Sequence, residues 1–522
     1  MKKIHKLFLS TTLLVAPALA QADTVRLFSE NNNIDIQGEF LELSEGTYVI
    51  RTALGDLHIS AEGVRCEGNA CPSEKSDVQT VVLRGSSTIG QTLIPLLVEG
   101  YAAEQEGAVD VKPTQSGNET LAIISANAGF GDEIGRYLVH SSATVDAFTA
   151  LEYQTAQIGM ASRRISRDEA RVLRDADAGN MISPSQEHIF ALDSMLVVVH
   201  PDNPVRSLSM EQIREIFTGS INNWNQVGGE DAPIVVIDRE GWSATRKTFS
   251  EAIFGDPDAL KGLRNAIIVD DGEHAASSVS DELGAIGYLS HANRRATQPL
   301  TLISDCGLAM SPDSFSARTE EYGLLQRLYL YNRENGHNPA STGFLDYALS
   351  EAADPIIQKA GFFDLQIEVK TQAPDSGRAS QLNDPTADSY ERRFMEEMLA
   401  EMVEYDRLST TFRFQTGSSR IDERGRTDMA RLVTFLEDVP EGSEVLFVGF
   451  TDDVGTFDAN RKLSLQRSES VLAEMREFVG DDLSQITWRS TGYGELAPLQ
   501  CNTGNKGRGI NRRVEIWLRS PA

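Results

Sequence analysis

Ser86, Ser87 and Thr88 form a group of hydroxyl residues that could bind an anion. They follow the apolar run Val81–Leu83, which predicts a buried strand, and they precede apolar residues at three- and four-residue steps, which predict a helix. The unpaired N–H groups and the dipole at a helix N-terminus favour an anion. The alternative is that these hydroxyl groups only cap the helix.

A second group of residues could bind a zwitterion near the C-terminus. Asn460, Ser464 and Arg467 are four and three residues apart, so they share one face of a predicted helix. Asp452 ends the preceding predicted strand and faces the start of that helix. A carboxylate and a guanidinium held close together can bind an ammonium and a carboxylate, although a plain Asp452–Arg467 salt bridge is the alternative.

The sequence shows no signal for catalysis, a cofactor or a metal. It contains no Gly-x-Ser-x-Gly, no His-Glu-x-x-His and no phosphate-loop lysine, and its eight histidines are scattered. The enzyme alternative is a phosphohydrolase that uses Ser86 or Ser243, which would require an adjacent base. We therefore expect a binding protein.

The four cysteines suggest disulfides, because the chain carries an export signal. Lys2, Lys3 and Lys6 precede an apolar run and Ala20-x-Ala22, which predicts a signal peptide over residues 1–22. Cys66 and Cys71 are predicted to pair, since no second Cys or His pair supports a metal site. Whether Cys306 pairs with Cys501 stays open.

Composition predicts several domains in an acidic chain without a membrane span. The 522 residues carry a net charge of −29, so we expect no nucleic-acid partner, and any bound anion must be held by local donors. No later segment approaches the roughly 20 apolar residues of a transmembrane helix.

Patterns along the chain predict four regions after the signal peptide. Residues 23–72 read as a small β domain and residues 78–370 as alternating strands and helices of an α/β domain. Residues 371–407 are predicted to form a linker followed by a short helix. Residues 371–387, the linker itself, are predicted to be flexible. Residues 408–522 read as α+β. The short helix carries an apolar stripe, predicted to dock onto the next domain or to form a dimer contact: Phe394, Met395, Met398, Leu399 and Met402.

Five motifs in residues 78–370 resemble those of the phosphate-binding proteins of ABC transporters. They are Gly85–Thr88, Ile158–Arg163, Leu208–Gly219 with Asn223-Trp224, Ile237–Arg239 and Gly284–Tyr288. The resemblance implies a two-lobed α/β periplasmic binding protein fold that closes on an oxyanion. It implies these anion-binding residues: Ser86, Ser87, Thr88, Ser116, Gly117, Arg163, Arg239, Ser243 and Thr245.

Two positions depart from that family's pattern. Ala244 replaces the glycine between Ser243 and Thr245. Arg163 stands where some members place an acceptor carboxylate, and because an arginine only donates hydrogen bonds, we expect weak discrimination between phosphate and sulfate.

Four further motifs resemble the OmpA-like peptidoglycan-binding domain: Phe447–Gly455, Asn460–Arg467, Gly492–Glu495 and Asn511–Glu515. The resemblance implies that Asp452, Asn460 and Arg467 bind the diaminopimelate of the peptide stem. It implies a location in the periplasm of a Gram-negative bacterium, on peptidoglycan and with the outer membrane close by.

Together these expectations describe a phosphate or oxyanion binding protein tethered non-covalently to peptidoglycan. A wall-bound scaffold with a vestigial cleft is the alternative, and an ABC permease as partner stays open.

Overall fold

The computed structural model describes residues 24–29, 34–44, 46–61, 64–68, 70–71, 78–241, 243–260, 266–336, 338–374, 376–382, 389–414, 421–422, 424–480 and 482–521. The predicted signal peptide and residues 375 and 383–387 of the predicted linker lie outside this set. The chain divides into two compact units. The first covers Met1–Gln79, Ala102–Asp110 and Ile123–Arg136, and the second covers Thr80–Tyr101, Val111–Ala122 and Tyr137–Ala522.

The first unit contains an antiparallel sheet, as the short alternating segments predict. Its strands are β1 (Thr24–Ser29), β2 (Asp35–Ser44), β3 (Thr47–Thr52), β4 (Gly55–Ser60) and β5 (Val64–Glu67), in the order β4-β3-β2-β1-β5. Val25 and Leu27 alternate with exposed residues on β1 and are fully buried, so one face of the sheet forms the core. The predicted Cys66–Cys71 disulfide is present, with an S–S distance of 2.00 Å.

Strands and helices alternate from residue 80 to residue 359. The strands are β6 (Thr80–Ser86), β7 (Ala108–Pro113), β8 (Glu119–Ser125), β9 (Glu133–Ser142), β10 (Ile158–Ala161), β11 (Glu187–Val199), β12 (Ser207–Ser209), β13 (Val235–Arg239), β14 (Ile267–Val269), β15 (Ala285–Ser290), β16 (Gln298–Pro299), β17 (Thr301–Ile303), β18 (Ala309–Met310) and β19 (Leu325–Asn332). The helices are α1 (Ser87–Gly90), α2 (Leu93–Glu104), α3 (Ala126–Gly129), α4 (Thr144–Glu152), α5 (Arg167–Asp175), α6 (Met210–Thr218), α7 (Ala244–Phe254), α8 (Gly272–Asp281), α9 (Ser314–Arg318), α10 (Pro339–Leu349) and α11 (Asp354–Lys359).

The long strand β11 joins two half-sheets. The strand order is β14-β13-β15-β11-β19-β10-β6-β9-β8-β7. Residues 187–194 of β11 pair with β19, and residues 195–199 pair with β15, in both cases antiparallel. The pairs β6–β10, β13–β14 and β13–β15 are parallel, as the alternating pattern predicts. Strand β19 is antiparallel to both of its neighbours, β11 and β10, so the sheet is mixed.

Helix α6 shows how local sequence sets an element's ends. Ser209 accepts a hydrogen bond from the backbone N–H of Gln212, whose side chain bonds back to the Ser209 N–H, and this is the predicted capping box. Gly219 ends the helix with φ +82°, a left-handed conformation that glycine adopts without strain. Ile213, Ile216 and Phe217 face the core of the second half-sheet.

The C-terminal region is α+β, as predicted. Its strands are β20 (Val369–Thr371), β21 (Asp406–Arg413), β22 (Glu444–Gly449), β23 (Thr487–Gly492) and β24 (Arg513–Arg519), in the order β20-β21-β24-β22-β23. Its helices are α12 (Gly377–Leu382), α13 (Ser389–Met402), α14 (Gly425–Glu437), α15 (Phe457–Val479) and α16 (Asn505–Asn511). Residues of α14 and α15 share a core with one face of the sheet, and residues of α12 and α13 share a core with the other.

The prediction that residues 371–387 form a flexible linker is wrong for the part that the structure describes. Strand β20 pairs with β21, and Ala379 and Leu382 on α12 are buried against the sheet. Although this segment is mostly polar, Ala379 and Leu382 are two apolar residues one helical turn apart, and they suffice to dock a short helix on an existing apolar surface.

The stripe on α13 docks onto the C-terminal sheet, as the first of the two predictions states. Phe394, Met398 and Met402 are buried in one cluster with Val448 and Trp517. Cys306 and Cys501 also pair, with an S–S distance of 2.02 Å, so the disulfide left open by the sequence exists. None of the helices in the described ranges has the length and apolar character needed to cross a membrane.

Candidate functional site

Ser86 lies where β6 turns into α1, and its side chain does not cap that helix. The residue is 3% exposed, and its hydroxyl makes no capping hydrogen bond. The preceding Gly85 has φ +137°, and a Cβ there would lie 2.1 Å from the Met160 carbonyl oxygen, so only glycine fits. Ser87 and Thr88 are half-buried in the first turn. The alternative that Ser86 serves only as a cap therefore loses its support.

The loop that carries Ser116 and Gly117 is held close to this turn. Both residues are exposed between β7 and β8, and Gly117 has φ +66°. The Ser141 N–H donates to the Asn118 carbonyl at 2.9 Å. Ser141 in turn packs on Gly90, where a Cβ would come within 2.6 Å of the Ser141 Oγ. One serine thus links the loop to the end of α1.

Arg239 ends β13 with part of its guanidinium unpaired. Its Nη2 donates to the Asp270 carbonyl at 3.0 Å, while its buried Nε has no hydrogen-bond partner among the described residues. Burial lowers the pKa of Arg239. The neighbouring Asp238 pairs instead with Arg246, whose Nε binds the two Asp238 oxygens at 3.1 and 2.9 Å, and Tyr288 donates to Asp238 at 2.5 Å.

Ser243 and Thr245 lie at the start of α7. Ser243 is 3% exposed and its Oγ accepts from the Arg246 N–H at 3.3 Å, so the hydroxyl proton remains available to an acceptor. Thr245 is half-buried in the first turn. These two hydroxyl groups and the Arg239 guanidinium come from one strand–turn–helix segment of the second half-sheet.

Strand direction brings the two groups of residues toward each other. Strands β6 and β10 run in the direction of β11 and are separated from its first half by β19, so their C-terminal ends point toward its second half. Strand β13 runs antiparallel to β11 and is separated from its second half by β15, so its C-terminal end points toward the first half. The strand that ends at Ser86 and the strand that ends at Arg239 therefore run in opposite directions, and both point toward the level of the middle of β11.

Arg163 is already paired. Its Nη1 and Nη2 bind the two Glu169 oxygens at 2.9 and 2.7 Å, and the guanidinium lies 5.4 Å from the centre of the Phe148 ring. Although burial raises it, the bond from Arg163 lowers the pKa of Glu169 to about 2. An anion could bind Arg163 only if this ion pair opened or shared its donors, so the role of Arg163 in anion binding stays a prediction.

The C-terminal site pairs its charges differently from the sequence-based expectation. Asp452 Oδ2 lies 2.7 Å from Arg512 Nη1, and Asn460 Nδ2 donates to the Asp452 carbonyl at 3.3 Å. Arg467 is 8% exposed, and its Nη1 has no hydrogen-bond partner among the described residues. Burial, together with the Arg512 charge, lowers the pKa of Arg467. The alternative of an Asp452–Arg467 salt bridge is therefore wrong.

Sequence reasoning did not assign Arg512 to this site, although Arg512 lies within the quoted motif Asn511–Glu515. Glu495 was likewise not assigned. Its Oε2 is buried without a partner among the described residues, and burial raises the pKa of this carboxyl. No spacing signal connects either residue to Asp452, since 60 residues separate Arg512 from it in sequence.

One group of residues has the side-chain types of a metal site. Asp270, Asp271 and His274 place their ligand atoms within 4.8 Å of one another, and all three residues are exposed. Because exposed carboxylates often cluster without an ion, this arrangement alone gives no ground for a metal centre. Among the residues that the structure describes, neither the Ser86 nor the Ser243 hydroxyl is hydrogen-bonded to a carboxylate or an imidazole.

Comparisons with known proteins match two separate parts of the chain. Residues 72–352 match the family model of the PBP superfamily domain, and residues 413–512 match that of the OmpA family. The phosphate-binding protein PstS of Bacillus subtilis is 29% identical over 165 residues, which cover 32% of this chain and 52% of that protein. The outer membrane porin F of Pseudomonas aeruginosa is 31% identical over 121 residues, 23% of this chain and 34% of the porin.

A solved structure resembles the first part. An ABC-type phosphate transport receptor from Vibrio cholerae is 20% identical, with a TM-score of 0.40. The match covers 54% of this chain and 99% of that receptor. The chain spans about half the length of the Bacillus relative. The family matches confirm the predicted fold class, a two-lobed α/β binding protein fold followed by an OmpA-like α+β domain.

Proposed function

The chain belongs to the PBP superfamily, and on that premise we propose that its two-lobed domain binds phosphate or a related oxyanion while its C-terminal domain binds peptidoglycan. The observation that carries the first half is the Arg239 Nε, which is buried without a partner among the described residues. A buried guanidinium N–H without an acceptor costs free energy, and an anion would supply the acceptor.

Donors from both half-sheets would surround the anion. Ser86, Ser87 and Thr88 with the loop of Ser116 and Gly117 belong to one half-sheet, and Arg239, Ser243 and Thr245 belong to the other. Because these groups end strands that face each other along β11, an anion bound by both would hold the two lobes together. This is the binding-protein mechanism in which ligand contacts stabilise the closed form.

Selectivity between oxyanions is expected to be weak. Phosphate carries a proton near neutral pH and sulfate does not, so a site distinguishes them by an acceptor that binds the phosphate proton. Asp238 and Glu240 flank Arg239 in the sequence, and Arg246 and Tyr288 already occupy the Asp238 carboxylate. Arg163 can only donate.

The second half of the proposal rests on the unpaired Arg467. Its Nη1 would bind the carboxylate of diaminopimelate, and Asp452 and Asn460 would bind the ammonium. The Asp452 charge is shared with Arg512, so the ammonium would meet a carboxylate that already has one cationic partner. The chain would then be a periplasmic protein of a Gram-negative bacterium, associated with peptidoglycan beneath the outer membrane. A permease partner is not part of this proposal.

Titration calorimetry of the full chain with phosphate and sulfate tests anion binding. We expect saturable heat with both anions in wild type and its loss in Arg239→Ala. Arg295→Ala is the matched control, because Arg295 lies in the same lobe with a half-exposed side chain paired to Glu273. Absence of heat with millimolar anion would favour the wall-bound scaffold with a vestigial cleft. Release of phosphate from an ester would instead support the phosphohydrolase.

A further inference from the structure

The loop between β7 and β8 is held by two residues that the sequence did not assign to anion binding. Thr114 Oγ1 accepts a hydrogen bond from the Ser116 N–H at 3.2 Å and donates to Glu119 Oε2 at 3.0 Å. The Thr114 N–H donates to the Glu119 carbonyl at 3.0 Å, which closes the loop at its base. One hydroxyl group therefore joins the backbone of the loop to a carboxylate at its end.

Two neighbouring residues of β9 fix this carboxylate and the far side of the loop. His140 Nδ1 lies 2.7 Å from Glu119 Oε1, and the two side chains are 18% and 23% exposed. The next residue, Ser141, donates its N–H to the Asn118 carbonyl at 2.9 Å, and its own carbonyl accepts from Asn118 Nδ2 at 3.4 Å. Because β9 lies beside β6, which ends at Ser86, the loop and the turn after β6 are held by the same sheet.

Glu119 serves as an ionised acceptor for these contacts. Although burial raises the pKa of its carboxyl, the hydrogen bond from Thr114 and the charge of His140 bring that pKa below its usual value. The Ser116 hydroxyl bonds to the same carboxylate. An ionised carboxylate accepts several hydrogen bonds at once, whereas the single proton of the Ser116 hydroxyl goes either to Glu119 or to an oxyanion.

The backbone of the loop offers a donor that is already fixed. The Asn118 N–H donates to the Ser116 carbonyl at 2.7 Å, so the chain turns tightly about Gly117, which is exposed and has φ +66°. No acceptor for the Gly117 N–H is present among the described residues. Hydrogen bonds on both sides of Gly117 hold this N–H in place, and a donor fixed before the ligand arrives avoids the entropy cost of ordering the loop.

We propose that Thr114 and Glu119 are positioning residues for oxyanion binding. The Thr114 hydroxyl and the Glu119 carboxylate keep the loop in the conformation in which Ser116 and Gly117 meet the anion, and neither residue touches the anion itself. Their role rests on the proposed function, because they serve the same site. Since both act through the loop, their loss should weaken phosphate and sulfate binding alike.

Titration calorimetry of the full chain with phosphate and sulfate tests this role in two Thr114 variants. Thr114→Val keeps the shape of the side chain but removes the hydroxyl, so it should weaken binding of both anions about tenfold. Thr114→Ser keeps the hydroxyl and should bind both anions like wild type. The Tm without anion should stay within about 2 °C of wild type in both variants, which separates loss of positioning from loss of fold.

Thr218→Val is the matched control. Thr218 is exposed at the end of α6, and its hydroxyl donates to the Arg214 carbonyl of the same helix. This variant loses the same hydroxyl group outside the anion-binding loop. It should bind both anions like wild type.

Two Glu119 variants separate hydrogen bonding from charge. In Glu119→Gln, the amide can accept from Thr114 and donate to His140, and a negative charge beside the loop is removed, so anion binding should be at least as tight as in wild type. In Glu119→Leu, both hydrogen bonds are lost, and binding of both anions should weaken about tenfold.

Equal affinity of Thr114→Val and wild type, or equal losses in Thr114→Val and Thr114→Ser, would overturn the positioning role. Equal weakening by Glu119→Gln and Glu119→Leu would overturn it as well, because charge would then be the cause. If Arg239→Ala abolishes binding in the same series, the proposed function stands even where the positioning role falls. No heat with either anion in wild type would overturn both.

Discussion

Asp452 pairs with Arg512, with 2.7 Å between Oδ2 and Nη1, and this pair leaves Arg467 without a carboxylate partner among the described residues. The two charges that the sequence predicts as one pair therefore belong to different interactions. Asp452 belongs to a nearly buried ion pair with Arg512. Arg467 is a buried cation that makes no salt bridge with the described residues.

This arrangement predicts different behaviour of the two alanine variants. Arg467→Ala should abolish co-sedimentation of the full chain with peptidoglycan and leave the free energy of unfolding unchanged or raised, because it removes an unpaired buried charge. Asp452→Ala should weaken sedimentation and also lower the free energy of unfolding by about 3 kcal/mol, because it removes the carboxylate from a nearly buried ion pair. Urea denaturation measures the second effect.

Arg476→Ala is the matched control for that experiment, since Arg476 is exposed on the same helix α15. It should sediment like wild type. Equal sedimentation of wild type, Arg467→Ala and Asp452→Ala would exclude this site as the peptidoglycan contact.

Arg239→Ala should reduce phosphate affinity by about 2–5 kcal/mol, because the bound anion would lose a desolvated charge-assisted pair. Thermal unfolding with and without phosphate gives an independent readout, since a ligand that binds only the folded state raises the Tm. Wild type should show the rise and Arg239→Ala should not. A rise of equal size in both proteins would contradict the assigned role of Arg239.

Glu320 is predicted to stabilise the contact between the two-lobed domain and the C-terminal domain. It binds Arg327 at 2.6 Å and Arg424 at 2.9 Å, with Arg413 at 3.5 Å, and its side chain is 11% exposed. Removing the carboxylate in Glu320→Gln should lower the free energy of unfolding by about 3–5 kcal/mol, because three buried cations lose their shared anion. Glu273→Gln, at an exposed ion pair, should cost at most about 1 kcal/mol.

The same residue has a defined pH dependence. Burial alone would raise the pKa of Glu320, but Arg327, Arg424 and Arg413 hold it well below its usual value. Since the folded pKa lies below the unfolded value of about 4.3, this stabilisation is complete at neutral pH and declines only as the pH falls below about 4. Glu320→Gln should therefore differ from wild type at pH 7 and approach it in strong acid.

Asp193 is predicted to make stability fall as the pH rises. It lies in the middle of β11, fully enclosed beside Ser290, whose hydroxyl donates to it at 2.8 Å, and burial raises its pKa to about 7. The unfolded carboxyl titrates near 3.9, so between about pH 4 and pH 7 the folded state holds a proton that the unfolded state has lost. The free energy of unfolding should decline across this window by up to about 4 kcal/mol.

Asp193→Asn removes this titration. The variant should be more stable than wild type at pH 8, and its stability should change less between pH 4 and pH 7. Burial lowers the pKa of the nearby His291, so this residue makes the free energy of unfolding rise with pH. The test is therefore the difference between the variant and wild type at each pH, not the slope of either curve alone. Parallel curves for the two proteins would show that Asp193 is not the responsible group.

Local sequence determined much of this protein. The capping box of Ser209 and Gln212, the end of α6 at Gly219 and the apolar stripe of α13 were readable because they depend on residues three to seven positions apart. The motif order likewise predicted the two-lobed fold and the OmpA-like domain, and it placed Ser86 and Arg239 at strand ends.

Tertiary structure decided which charges remain unpaired. The contacts of Arg512 with Asp452 and of Cys306 with Cys501 join residues 60 and 195 positions apart, and no periodicity encodes such a separation. The docking of residues 369–382 depends on the apolar face of a sheet built from later strands. Burial and pairing are properties of the assembled core, so only the folded chain shows that Arg239 and Arg467 keep donors without protein acceptors.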